Sequence, residues 1–132
     1  MIAHSSPPPA NSLPTVFILD DDEAVLNSLS FYLRVEGMNV RTFPTASQLL
    51  DVAAFPESGC LVVDLKLPDA DGLDLVSTLR GRGVTLPAIL ITTNPTESTR
   101  RKAAAAHVVI VEKPSLGNAL PDAIRNAIAK TH

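Results

Sequence analysis

With 132 residues, 45% of them apolar and 19% charged, the chain is long enough for one respectable core and too apolar for a disordered polymer, so a single folded domain is expected. Fourteen acidic against eleven basic residues leave a net charge of -3, which argues against nucleic acid or an anionic membrane as a direct partner of this segment. A lone cysteine, Cys60, excludes an intramolecular disulfide and fits a reducing cytoplasm, and no apolar run approaches the roughly 20 residues needed to span a bilayer.

Residues 1 to 14, MIAHSSPPPANSLP, are rich in Pro and Ser, lack the basic and apolar regions of a secretory leader, and read as a disordered tail. TVFILD (15 to 20) is short, β-branched and continuously apolar up to its end, the pattern of a strand covered on both faces. EAVLNSLSFYLRVEG (23 to 37) places Val25, Leu26, Leu29 and Leu33 at helical spacing, begins acidic and ends in glycine. MNVRTF (38 to 43) alternates as a shorter strand, and TASQLLDVAAF (45 to 55) opens with Thr45 and Gln48 at capping-box spacing. CLVVDL (60 to 65) is a buried-looking strand, followed by a helix over 71 to 83 that glycines end. PAILIT (87 to 92), TESTRRKAAAAH (96 to 107), VVIVE (108 to 112) and GNALPDAIRNAIAK (117 to 130) continue as strand, helix, strand and amphipathic helix. Five strands alternating with five helices predict an α/β fold: a doubly wound, five-stranded parallel sheet, order 2-1-3-4-5, with its site at the carboxyl ends of strands 1 and 3.

The polar residues that interrupt these apolar strands do so at their carboxyl ends. Strand 1 ends in Asp20 and Asp21, strand 3 reaches Asp64, strand 4 ends at Thr92 and strand 5 runs into Lys113. Convergence in one crevice would gather three carboxylates, a hydroxyl and an ammonium. Carboxylates so close repel one another unless a cation intervenes, and a hard divalent ion such as Mg²⁺, completed by phosphate oxygens, is the natural counterweight. Lysine and threonine beside it suit an anion. No serine or cysteine with a base stands nearby, so the nucleophile is expected to be a carboxylate, Asp64, forming an aspartyl phosphate while the adjacent pair holds metal.

Other candidates have plainer readings. Asp22 and Glu23 start a helix, Asp69 and Asp71 form turns, and Arg100-Arg101-Lys102 is a solvated helix face. Gly81-Arg82-Gly83 stops a helix, and His4, His107 and His132 lack ligand spacing.

FILDDDEAV, LVVDLKLPDADG, ILITT and VEKP together resemble the signature segments of the receiver domain of bacterial two-component response regulators, a CheY-like fold, over residues 14 to 130. The resemblance implies a receiver domain over 15 to 132 that acts as a phosphorylation-dependent switch rather than a turnover enzyme, located in the cytoplasm. It implies that Asp64 accepts phosphate from a sensor histidine kinase or phosphotransfer protein. By the same resemblance Asp21, Asp64 and the Lys66 backbone carbonyl ligate Mg²⁺, Asp20 acts on the metal through water, and Thr92 and Lys113 contact the phosphoryl oxygens. A cis Lys113-Pro114 peptide is expected as well. The chain departs from the family pattern at Ile110, where an aromatic is usual, at Thr93, where a very small residue is usual, and at Ser115 and Leu116. Ala106 stands where a glycine usually ends the fourth helix, and the stretch from Thr92 to Lys113 is about one residue short. The run Val108 to Val111 with alanines 103 to 106 predicts a smooth apolar face of the fourth helix, fifth strand and fifth helix, fit for a protein partner or homodimer. The rival readings are a phosphorylation-independent binding module on the same fold and a Mg²⁺-dependent phosphatase, which lacks an acid at Lys66.

Overall fold

The computed structural model describes residues 14–113 and 116–130 of the chain. The expected tail falls almost wholly outside the described residues, as does the Lys113-Pro114 peptide with its expected cis geometry. Within them the elements run β1 (Thr15–Leu19), α1 (Glu23–Val35), β2 (Asn39–Phe43), α2 (Ala46–Leu50), β3 (Gly59–Asp64), α3 (Gly72–Gly81), β4 (Ala88–Thr92), α4 (Glu97–Ala105), β5 (Val109–Glu112) and α5 (Leu116–Lys130). The sheet is parallel in the order β2-β1-β3-β4-β5, as the alternation predicts.

Every residue of β3 and β4 is buried, whereas the edge strands β2 and β5 are partly exposed, β2 alternating in sequence and β5 keeping its apolar run with Val109 in solvent. Successive side chains point to opposite faces. Val16, Ile18, Val62 and Ile89 meet Leu26, Leu29 and Leu33 of α1 and Leu120 and Ile124 of α5. Phe17, Leu19, Leu61, Val63 and Leu90 meet the other face, built from α2, α3 and Ala103 of α4.

α2 is far shorter than its sequence pattern. Thr45 caps it, accepting from Gln48 N at 3.2 Å, but it ends at Leu50. Phe55 instead turns inward onto the Phe17 ring, centroids 5.1 Å apart, and the following Pro56 disfavours helical backbone at residue 55. α1, α3 and α4 close in one way: a left-handed residue follows the cap, and the next N–H reaches back to the carbonyl five residues earlier. Gly37 and Gly83 supply that residue after α1 and α3. After α4 it is His107, at φ 58°, so the position that wants glycine lies one residue beyond Ala106, whose own backbone is right-handed.

Candidate functional site

Among the described residues, the buried polar or charged side chains are Asp20, Asp64 and Thr92, and all three stand at carboxyl ends of strands. Asp20 follows β1, its N–H bonded to the Phe43 carbonyl at 3.2 Å, and its Oδ1 accepts from Asp22 N at 2.9 Å. Asp64 ends β3 one register step below Thr92, since it pairs with Ile91 while Thr92 pairs with Glu112. Asp21 is exposed beside Asp20, and each of Asp20, Asp21 and Asp64 offers a carboxylate oxygen within 4.8 Å of the others. Lys113, just past β5, donates from Nζ to Asp64 Oδ2 at 3.1 Å and lies 3.3 Å from Asp20 Oδ2. The five strand-end residues therefore occupy the same end of one sheet, with Lys113 paired to Asp20 and Asp64 and with Asp21 close beside them.

Three carboxylates against one ammonium give this cluster of four side chains a formal charge of two negative. Burial raises the Asp20 carboxyl above its usual range and the Asp64 charge adds to that, against the lowering pull of the Asp22 N–H and Lys113. Burial works to depress the Lys113 ammonium, but the Asp64 hydrogen bond and the two carboxylate charges outweigh it and its pKa ends up raised. Asp20 Oδ2 is completely buried, and the group nearest to satisfying it is the Lys113 ammonium, 3.3 Å away and outside good hydrogen-bond geometry. An orphaned carboxylate oxygen among hard oxygen donors fits a hard divalent cation and does not fit a soft one.

Lys66 opens the loop after β3; its N–H donates to Asp64 Oδ1 at 3.3 Å and it forms an antiparallel bridge with Asp71. Gly72 N returns to Leu65 O at 2.7 Å, so tightly that a Cβ at Gly72 would collide with the Asp64 carbonyl oxygen. The helix-start reading holds for Asp22, which caps α1 through two backbone N–H groups, whereas Asp71, read as a turn former, caps α3 in the same way. Asp69 is more than a turn former. Its carboxylate reaches Ala46 N at 3.3 Å and Ser47 N at 3.2 Å, the first amides of α2, a partnership across 22 or more residues that no local pattern could announce. Thr93 and Asn94 are exposed after β4, and Ile110 is half-buried against the core on the side of α2 and α3.

The family model of the response regulator receiver domain matches residues 16–125. The chain belongs to that family. This receiver domain is 33% identical over 123 residues to the transcriptional regulatory protein FixJ of Azorhizobium caulinodans, covering 91% of this chain and 57% of the relative. It is 36% identical over 114 residues to the response regulator protein TodT of Pseudomonas putida, covering 86% and 50%. The crystal structure of FixJ-N superposes on it with a TM-score of 0.80 at 32% identity, covering 88% of this chain and 94% of that one. The receiver thus spans about half the length of the curated relatives it matches. Among the described residues no helix is long and apolar enough to cross a membrane.

Proposed function

We propose that this receiver is a phosphorylation-dependent switch in which Asp64 accepts a phosphoryl group from a phosphohistidine on a sensor histidine kinase or phosphotransfer protein. The observation that carries this reading is Lys113 Nζ at 3.1 Å from Asp64 Oδ2, at the rim of a cluster of three carboxylates. An Asp64 oxygen attacks phosphorus, the new P–O bond forms as the P–N bond breaks, and the imidazole leaves neutral after taking up a proton. Asp20, Asp21, Asp64 and the Lys66 backbone carbonyl would hold Mg²⁺, which when bound supplies positive charge to the phosphoryl oxygens. Lys113 neutralises Asp64 before transfer and turns to a phosphoryl oxygen after it. The Thr92 hydroxyl donates to another phosphoryl oxygen. Since the group stays on Asp64 as a signal, the domain is an acceptor and not a turnover enzyme.

Phosphorylation is read out through a surface. Val109, 51% exposed, and the exposed Ala104, Ala105 and Ala106 support a protein partner or a second copy on the face of α4, β5 and α5. The name of the FixJ relative, a transcriptional regulatory protein, supports control of transcription, with no direct DNA contact by this acidic segment. Intact-mass spectrometry after incubation with acetyl phosphate and Mg²⁺ tests the acceptor: one phosphoryl group should appear on the wild type and none on Asp64→Asn. A variant modified as fully as the wild type would refute it.

A further inference from the structure

Asp69 lies in the loop between β3 and α3, at the far end from the crevice. The base of that loop is closed by the bridge of Lys66 with Asp71 and by Gly72 N to Leu65 O at 2.7 Å, and its turn by Leu67 N to Ala70 O at 3.1 Å. Such a loop is stiff within itself; Leu67 and Ala70 rest against the core, and the exposed tip remains to be held. Asp69 holds it: an exposed carboxylate takes two amide N–H groups, Ala46 at 3.3 Å and Ser47 at 3.2 Å, at the start of α2. α2 follows β2 directly, and the end of β2 is tied to the site by Asp20 N to Phe43 O at 3.2 Å. A ring of hydrogen bonds therefore runs from Asp20 through Phe43 and the start of α2 to Asp69, and back along the loop through Lys66 to Asp64, whose Oδ1 accepts from Lys66 N.

From this ring we infer that Asp69 is a positioning residue for the cation site: it fixes the tilt of the loop, and with it the place of the Lys66 backbone relative to Asp20 and Asp64. The inference rests on the reading of the crevice as a Mg²⁺-assisted phospho-acceptor site. Charge favours the arrangement, because a carboxylate at the first amides of a helix meets their partial positive charge. Supports behind a metal's ligands commonly change its affinity by about tenfold or more when removed. Because coupling is reciprocal, a cation that stiffens the loop must also strengthen the bond of Asp69 to α2.

The test compares wild type, Asp69→Ala and Asp69→Asn, with Mg²⁺ as the probe. Calorimetric titration of the unphosphorylated proteins should show Mg²⁺ binding weakened about tenfold in Asp69→Ala and less in Asp69→Asn, which keeps one acceptor oxygen. Amide exchange at Ala46 and Ser47 should slow on adding Mg²⁺ to the wild type and be insensitive to it in Asp69→Ala. Phosphorylation by acetyl phosphate should require more Mg²⁺ in Asp69→Ala and reach the wild-type rate once saturated. Unchanged Mg²⁺ affinity alongside faster exchange at residues 46 and 47 would reduce Asp69 to a helix cap and overturn the inference. Should Asp69→Ala fail to fold, the wild-type exchange response and Asp69→Asn still decide. Wild-type protein that binds Mg²⁺ but takes no phosphoryl group would sink the functional reading, while the titration and exchange results would still judge Asp69.

Discussion

At the amino ends of the strands, arginines close backbone carbonyls: Arg34 donates to Val40 O at 3.0 Å, Arg80 to Val84 O at 3.0 Å and Arg82 to Leu50 O at 2.9 Å. Arg34 and Arg82 lie at the surface, Arg80 is half-buried with burial pulling its guanidinium pKa down, and each is matched by an acceptor. At the carboxyl ends the reverse holds, with Asp20 sealed from solvent, one of its oxygens orphaned, and Asp64 and Asp21 close beside it. One sheet thus carries an end that follows the rules of stability and an end that breaks them. The difference points to the candidate site: like charges gathered around a buried carboxylate oppose folding and persist when a ligand uses them.

The largest effect expected at the strained end is steric. Gly72→Ala would push a methyl group into the Asp64 carbonyl, and relief requires the whole loop of Lys66 to Asp71 to back away. A loss of about 3 kcal/mol is expected, read as a lower urea midpoint, together with weakened phosphorylation because Lys66 and Asp64 move apart. A variant with wild-type midpoint would mean that the loop is softer than its hydrogen bonds imply.

Next in size, and opposite in sign, is Asp20→Asn. The amide fills the same space without a charge to desolvate, so the metal-free protein should be more stable, seen as a higher melting temperature. The sign of the pH dependence follows from the raised pKa of Asp20. A carboxyl that holds its proton more tightly folded than unfolded penalises the fold above the raised value, and the penalty disappears as pH falls through it. The advantage of Asp20→Asn should therefore be full at neutral pH and shrink in acid. Mg²⁺ should shrink it too, by stabilising only the wild type. A variant less stable than wild type at neutral pH without metal would show that the ion pair with Lys113 outweighs burial.

Much of this contrast is legible in the chain itself. β1, β3 and β4 announce themselves because burial on both faces demands unbroken apolar runs, and the interruptions at Asp20, Asp64 and Thr92 stand out against them. The short extent of α2 is not legible, since its helical pattern continues through residues that the ring of Phe17 draws out of the helix. Nor is Asp69, because its partners lie on a segment that only the β2-β1-β3 order brings near. Local chemistry specifies elements and caps, and pairings set by topology appear only once the sheet is assembled.

The smallest expected effect lies at the stable end, in its one conspicuous departure. α1 and α3 finish on Gly37 and Gly83 in the left-handed region, while α4 finishes on His107 at φ 58° with the same pair of closing bonds, His107 N to Ala104 O at 3.1 Å and Val108 N to Ala103 O at 2.8 Å. A side chain in that region costs roughly 1 kcal/mol through contact of its Cβ with the carbonyl, part of which glycine returns as entropy on unfolding. His107→Gly should therefore stabilise the domain by about 0.5 to 1 kcal/mol in a urea titration. The imidazole is exposed and far from the crevice, so the rate of phosphorylation by acetyl phosphate should stay at the wild-type value. If stability instead fell, His107 would be making a contact worth more than its strain, and the amino end of the sheet would have to be counted as functional as well.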